Sequence, residues 1–261
     1  MRLAAQEQLL PGETLQEKFE FAVEAGFDAI ELRGKGDLHF AGRLPELRRA
    51  LADGVVMPTV CVDMTHFIGD FDAGRRRDAV TQLRSQLTVI GELGGLGVMT
   101  PASWGQFSRR LPPFEPPRSA EEDREVLADA LGELGEHAAR EGVLIMLEPL
   151  NRYENHMVNT LAEAVEYCSA DSIRVAGDTY HMNIEEDDPC RSLARAAPYL
   201  AHMQISESNR NQPGTGHLDW AAQLATLDAI GYDGYLALEC RLRGDPRTAL
   251  PQTAAFVRKF L

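Results

Sequence analysis

The segment EGVLIMLEPL, residues 141–150, decides the fold. Gly142 follows a helical pattern over Glu121–Arg140, and a glycine at such a point commonly ends a helix. The apolar run Val143–Leu147 then predicts a buried strand, with Glu148 at its carboxyl end. A helix followed at once by a buried strand is the repeating unit of a parallel α/β sheet.

This unit repeats along the whole chain, and the helix-ending glycine recurs at Ala25-Gly26 and Ile230-Gly231. The predicted strands are Arg2–Ala5, Asp28–Leu32, Val55–Val62, Gly97–Thr100, Val143–Leu147, Ile173–Gly177, Ala201–Ile205 and Tyr235–Leu238. The predicted helices are Leu15–Ala25, Leu44–Ala52, Ala79–Leu93, Glu121–Arg140, Leu161–Cys168, Leu193–Tyr199, Trp220–Ile230 and Pro251–Phe260.

Strands and helices in alternation predict a closed (β/α)8 barrel, an α/β fold formed by residues 1–261 as a single domain. The length of 261 residues matches the roughly 250 of such barrels. The rival fold, an open doubly wound sheet, usually carries a glycine-rich turn after its first strand, and this sequence has none there. The proline-rich segment Leu111–Arg118 is interpreted as an extended loop that could cover the site.

Composition and charge exclude several classes of protein. The net charge of −14 argues against binding to nucleic acid or to an anionic membrane, because both require many lysines and arginines. No stretch approaches the roughly 20 apolar residues of a membrane span. Four cysteines without C-x-x-C spacing are interpreted as reduced thiols, and the N-terminus does not resemble a signal peptide. The cytoplasm is therefore the expected compartment, and a homo-oligomer remains open.

Four consecutive predicted strands each end on a side chain that can bind a metal. These residues are Glu148, Asp178, Gln204 and Glu239, about one βα unit apart. Side chains at the carboxyl ends of barrel strands meet at a common centre. Three carboxylates and one amide oxygen suit Mg²⁺ or Mn²⁺ better than Zn²⁺. The alternative, for each acid taken alone, is that it caps the following helix or pairs with an arginine at the rim.

The sequence around these residues resembles the xylose-isomerase-like barrel superfamily, and within it the ketose 3-epimerases acting on tagatose, psicose or ribulose-type sugars. The resemblance is carried by EPLNRYE at 148–154, DTYHMNIEE at 178–186, HMQIS at 202–206 with NR at 209–210, PG at 213–214, and GHLDW at 216–220. Glu239 completes the match.

The resemblance implies a role for each matching residue. Glu148, Asp178, Gln204 and Glu239 match the four ligands of one divalent ion, with Mn²⁺ or Mg²⁺ expected and Co²⁺ as a further option. Glu148 and Glu239 also match the two acid/base carboxylates, while Glu154, His181 and Arg210 match substrate contacts. The implied reaction is epimerisation of a free ketose at C3 by proton transfer through a metal-stabilised enediolate.

Gln204 departs from the ketose 3-epimerase pattern, which usually has histidine there. The hydroxypyruvate isomerases usually have glutamine, so isomerisation of a small keto acid is the alternative function. His202 lies two residues earlier on the same strand face and is a rival ligand. We prefer Gln204, because its offset to Arg210 is that of the family's ligand.

Three other functions fit parts of the pattern less well. A phosphodiesterase of the endonuclease IV type needs more histidines than the seven present and a basic face. A non-catalytic sugar-binding barrel predicts the loss of one of the paired carboxylates, and both are present. An inositol-pathway enzyme or other lyase of the superfamily is not excluded by the sequence.

Overall fold

The computed structural model describes residues 1–107 and 115–261. Eight parallel strands form one closed barrel in the order of the sequence, and β1 pairs with both β2 and β8. The strands are β1 Arg2–Gln6, β2 Ala29–Lys35, β3 Thr59–Asp63, β4 Gly97–Pro101, β5 Leu144–Glu148, β6 Ile173–Asp178, β7 Leu200–Ile205 and β8 Tyr235–Leu238. The predicted (β/α)8 barrel is confirmed.

Helices surround the barrel. They are α1 Leu15–Glu24, α2 His39–Gly42, α3 Leu44–Ala52, α4 Ala73–Glu92, α5 Ala120–Glu141, α6 Leu161–Val165, α7 Thr179–Glu185, α8 Pro189–Ala196, α9 Trp220–Ala229 and α10 Pro246–Val257. Short 3-10 helices cover Glu7–Leu9 and Arg258–Phe260. In the described part of the chain no helix is long and apolar enough to cross a membrane. The first part of the predicted loop Leu111–Arg118 lies outside the described residues.

Several predicted boundaries were wrong because helices begin in polar turns that apolar periodicity does not detect. Helix α4 begins at Ala73 and not Ala79, since Asp72 caps its first turn. Helix α10 begins at Pro246 behind the capping Asp245, so that Pro251 lies inside it. Strand β3 starts later than predicted, after Pro58, which has no N–H to donate to the sheet.

The alternation of side chains along each strand separates two layers. Outward residues such as Leu3, Ile30, Leu147 and Leu236 join the large apolar core between strands and helices. Inward residues fill the barrel, and several of them are small: Ala4, Ala29, Ala176 and Ala237. At the carboxyl end the inward series continues into polar side chains, so the same period of two that builds the core also builds the site.

Candidate active site and metal centre

Three buried side chains meet where strands β5 and β6 end. Glu148 closes β5, Asp178 closes β6, and His181 lies in the helix that follows. Ligand atoms of the three lie within 4.8 Å of one another, a spacing that could hold a metal ion. Both acids point into the barrel, because Met146 and Ala176 point inward and lie two residues earlier on their strands.

Gln204 lies beside Asp178 on the neighbouring strand. The two residues are paired in the register of β6 and β7, and in parallel strands paired residues face the same side of the sheet. The Gln204 side chain is fully buried, and its Oε1 has no hydrogen-bond partner among the described residues. A buried carbonyl oxygen without a partner is costly, so a cation fits there. The rival ligand His202 has its Nε2 2.7 Å from Glu31 Oε2.

Glu239 follows β8 and is joined to Asp178 through Arg210. The guanidinium contacts Asp178 Oδ2 at 2.5 Å and Glu239 Oε2 at 2.6 Å. Its plane also lies over the Tyr180 ring, with Cζ 4.9 Å from the centroid. Arg210 has a backbone φ of 61°, a left-handed conformation that is unfavourable for a residue with a side chain. The loop holds Arg210 in this conformation, and its charge partly offsets the acids.

His181 is better suited to donate a hydrogen bond than to bind a metal. Its Nδ1 accepts the backbone N–H of Asn151 at 3.0 Å. Burial lowers the pKa of the imidazole to about 4, although Asp178 opposes the shift, so the ring is neutral at pH 7. With Nδ1 acting as the acceptor, the single proton belongs on Nε2, which faces Glu148 Oε1 at 3.9 Å. We therefore assign His181 Nε2–H as a donor toward the cavity.

The charges of the cluster favour a cation. Burial, together with repulsion from Glu239 and Asp178, raises the pKa of Glu148 well above its usual range. Burial also raises the pKa of Glu239 to about 7. Burial opposes ionisation of Asp178, but Arg210 and His181 outweigh it and lower the pKa. Two buried carboxylates and the partly exposed Glu239 thus face one arginine. Glu148 Oε1, like Gln204 Oε1, has no hydrogen-bond partner in the described part of the chain.

The donor atoms fit a hard divalent ion. Glu148, Asp178, Gln204 and Glu239 all present oxygen, which Mg²⁺ and Mn²⁺ accept readily. Asp178 also caps helix α7, since its Oδ1 accepts the N–H of Tyr180 at 2.7 Å. The two alternative roles that the sequence left open for such an acid are thus both present, because Oδ1 caps the helix and Oδ2 contacts Arg210. Glu148 Oε1 and Gln204 Oε1 remain without a partner among the described residues. The residues present therefore fit the predicted metal.

A cavity of about 320 Å³ opens directly above these groups. Glu154 lies at its rim, where its carboxylate accepts Trp104 Nε1–H at 3.0 Å and Asn151 Nδ2–H at 2.9 Å. The Trp104 side chain is 55% exposed and lies in the opening. A larger cavity at the opposite end of the barrel is lined by Val55, Pro58 and similar residues and has no such cluster among its lining residues. The volume above the cluster suits a monosaccharide.

The sequence pattern assigned no role to some residues at the site. Arg33 and Asp63 form an ion pair of 2.7 Å on the far wall of the cavity. Cys61 also lines the cavity, but burial and the charges of Glu239, Glu31 and Glu148 raise the pKa of its thiol well above normal. The raised pKa keeps the Cys61 thiol protonated, so it is not a thiolate nucleophile.

Glu207 anchors the loop that carries Arg210. Its Oε1 accepts the N–H groups of Ser208 and Leu218 at 2.9 Å, and its Oε2 accepts Gly214 N–H at 3.0 Å and Trp220 Nε1–H at 2.9 Å. The sequence motif around 213–220 contains three of these donors, but spacing alone does not reveal which acid they bind.

The chain has relatives that match it along nearly its full length. The family model "Xylose isomerase-like TIM barrel" matches residues 19–260. The chain belongs to this family. It is 39% identical over 263 residues to the 3-dehydro-D-guloside 4-epimerase of Escherichia coli K12, covering 99% of both chains.

Two further comparisons give the same class of enzyme. The crystal structure of an E. coli 3-keto-D-glucoside 4-epimerase superposes with a TM-score of 0.94 at 39% identity, covering 99% of each chain. The L-ribulose 3-epimerase of Mesorhizobium japonicum is 31% identical over 229 residues, which is 83% of this chain and 72% of the relative. This protein is a sugar epimerase of the xylose-isomerase-like superfamily, an enzyme of the isomerase class.

Proposed function

We propose that this protein inverts C4 of a 3-keto-hexoside, with a divalent metal ion bound by Glu148, Asp178, Gln204 and Glu239. The observation that carries the proposal is the full-length similarity to the E. coli 4-epimerase, joined to a pair of carboxylates that line one cavity. The names of the two E. coli relatives describe one chemistry, because inverting C4 of a 3-keto-glucoside gives a 3-keto-guloside.

The reaction needs a proton to leave and return at a carbon next to a ketone. One carboxylate of the pair Glu148 and Glu239 removes the C4 proton, and the electron pair moves onto the C3 oxygen to give an enediolate. The other carboxylate returns a proton to the opposite face of C4, which inverts the carbon. Glu148 ends strand β5 and Glu239 follows strand β8, so substrate lying between them is approached from two sides.

The neighbouring polar residues orient the substrate and stabilise charge. His181 Nε2–H donates to the C3 oxygen as negative charge develops there. The Arg210 guanidinium binds a substrate oxygen through its planar fork. Glu154 accepts a hydroxyl hydrogen at the rim. When bound, a divalent ion such as Mn²⁺, Mg²⁺ or Co²⁺ acts as a Lewis acid that lowers the pKa of the C–H next to the ketone.

The second candidate is the ketose C3 epimerisation expected from the sequence. It is favoured by the 31% identity to the L-ribulose 3-epimerase. It requires the same proton transfer, moved to C3 beside a C2 ketone, so the cluster serves either reaction. We rank it second because the 4-epimerase covers more of both chains at higher identity.

The test is to incubate the Mn²⁺-loaded enzyme in D₂O with a 3-keto-D-glucoside, psicose, ribulose and hydroxypyruvate, and to locate deuterium by NMR. We expect deuterium at C4 of the 3-keto-glucoside together with its C4 epimer. Faster exchange at C3 of a ketose would favour the second candidate. Exchange in hydroxypyruvate alone would indicate the keto-acid isomerase that Gln204 suggests. Absence of exchange in every compound would reject enolisation.

A further inference from the structure

We propose that Glu31 is a positioning residue that fixes the orientation of the Gln204 amide, so that its oxygen and not its nitrogen faces the metal. The inference rests on the proposed metal site. Glu31 lies on β2, three positions around the barrel from the β7 strand that carries Gln204. The two side chains meet inside the barrel, where both are fully buried.

Glu31 is surrounded by groups that can donate to it. Oε1 accepts Gln204 Nε2–H at 2.8 Å and Gln6 Nε2–H at 3.1 Å. Oε2 accepts Thr59 Oγ1–H at 2.8 Å, and His202 Nε2 lies 2.7 Å from it. Both carboxylate oxygens therefore act as acceptors. An ionised carboxylate has no hydrogen to give, so only the nitrogen end of the Gln204 amide can face it.

The hydrogen bond to Glu31 also determines where the oxygen of the Gln204 amide points. An amide has one oxygen and one NH₂, so binding the NH₂ to Glu31 leaves Oε1 pointing away from it. That oxygen is buried and has no partner within the described residues. Gln204 is paired with Asp178 in the register of β6 and β7, so the two side chains extend from the same face of the sheet. The free oxygen is therefore available to a cation in the cavity.

Rotation of the amide by half a turn would be unfavourable at both ends. It would set two oxygens against each other at Glu31, and it would present N–H groups to the ion. Residues that hold a metal ligand in this way commonly change metal affinity by about 10- to 100-fold when they are replaced. A glutamine ligand needs such a partner because its two ends are nearly the same in shape.

The test is a double-mutant cycle on Mn²⁺ affinity, measured on the full chain by titration with detection of free Mn²⁺ by EPR. Glu31→Gln can donate or accept toward Gln204, so it no longer selects one orientation, and we expect binding to weaken by about 10- to 100-fold. Gln204→Glu alone places two carboxylates against each other and also weakens binding. Combining the two changes restores a donor at position 31 and an oxygen ligand at position 204. We expect the double variant to bind more tightly than either single one.

The control is Thr59→Val, which removes one donor to Glu31 and leaves Gln204 untouched. We expect its Mn²⁺ affinity to fall much less than that of Glu31→Gln, because Glu31 keeps its acceptor oxygen toward Gln204. Circular dichroism and thermal melts establish folding, and if Glu31→Gln does not fold, the comparison of Gln204→Glu with the double variant decides. A residue that only supports the core would lower stability without this recovery of metal binding.

Two results would overturn the inference. One is a folded Glu31→Gln variant whose Mn²⁺ affinity equals that of the wild type. The other is a double variant no better than Gln204→Glu. Wild-type protein that binds Mn²⁺ but epimerises no sugar would reject the proposed reaction while the cycle still tests Glu31. Wild-type protein that binds no divalent ion would overturn both proposals.

Discussion

Replacement of Glu207 by alanine should destabilise the protein and misplace Arg210 at the same time. The carboxylate accepts four hydrogen bonds, two at each oxygen, from three backbone N–H groups and the Trp220 indole. The side chain is buried, at 1% exposure, so the donors lose their partner and are only partly reached by water. Each unsatisfied donor costs about 1–3 kcal/mol, and partial hydration of the loop reduces the total to about 3–5 kcal/mol.

Two substitutions of Glu207 should lower the stability by different amounts. Glu207→Gln keeps one acceptor oxygen, and with it two of the four bonds, so it should cost about half as much as Glu207→Ala. For a chain of this size, 1 kcal/mol lowers the melting temperature by about 2–4 °C, which gives a loss of about 10 °C for the alanine variant. Thermal melts measure this. The matched control is Glu133→Ala, which removes an exposed ion pair with Arg84 and should cost less than about 1 kcal/mol.

The stability difference between the wild type and Glu207→Gln should depend on pH. Burial opposes ionisation of Glu207, but the bonds from Trp220, Ser208, Leu218 and Gly214 outweigh it and lower the pKa below the ordinary 4.5. A lowered pKa in the folded state means that the wild-type advantage over Glu207→Gln is fully present above pH 4.5. It is lost as the pH falls through the lowered value. An advantage that is constant down to pH 3, or equal melting temperatures for all three proteins at pH 7, would refute this reasoning.

Three other predictions follow from the described contacts. Removing divalent metal with a chelator should abolish activity. Adding Mn²⁺ at about 100 times its dissociation constant should stabilise the metal-free protein by about 2.7 kcal/mol in thermal melts, and an unchanged melting temperature would argue against the metal site. Arg210→Lys keeps the charge but loses the two-pronged contact, so kcat/KM should fall at least tenfold with little change in melting temperature, and an unaltered kcat/KM would contradict the role of the fork. Gly97→Ala would force a Cβ against the Leu144 carbonyl oxygen and should lower the free energy of unfolding by about 3 kcal/mol or more, while Gly132→Ala, with open space in helix α5, should raise it by about 0.5–1 kcal/mol. Chemical denaturation compares the two variants, and equal effects would show that β4 and β5 do not approach closely at Gly97.

The barrel could be predicted because its signals are local and repeated. An apolar run, a polar residue at its carboxyl end and a glycine before the next strand recur along the chain, and each reports the same geometry. The inward position of the two acids follows from that pattern, since Glu148 and Asp178 continue the inward-facing series of their strands. The starts of helices such as α4 were missed because a capping side chain, and not periodicity, determines where they begin.

The supporting contacts could not be predicted because they join distant parts of the chain. Glu31 meets Gln204 across the barrel interior, and Glu207 gathers donors from a loop whose path the sequence does not give. The left-handed backbone of Arg210 is likewise a property of that loop. The carbon that is inverted is not encoded in the cluster at all, because proton transfer beside a ketone uses the same groups at C3 and at C4.

In the proposed reaction, Glu148 and Glu239 exchange a proton with opposite faces of one carbon. The direct measurement is deuterium exchange at C4 of each 3-keto-hexoside epimer, in D₂O, catalysed by Glu148→Gln and by Glu239→Gln, which keep an oxygen ligand while losing the base. We predict that neither variant interconverts the epimers, and that each still exchanges the proton of one epimer, a different one for each variant. Interconversion at the wild-type rate by either variant, or exchange of the same epimer by both, would contradict the assignment.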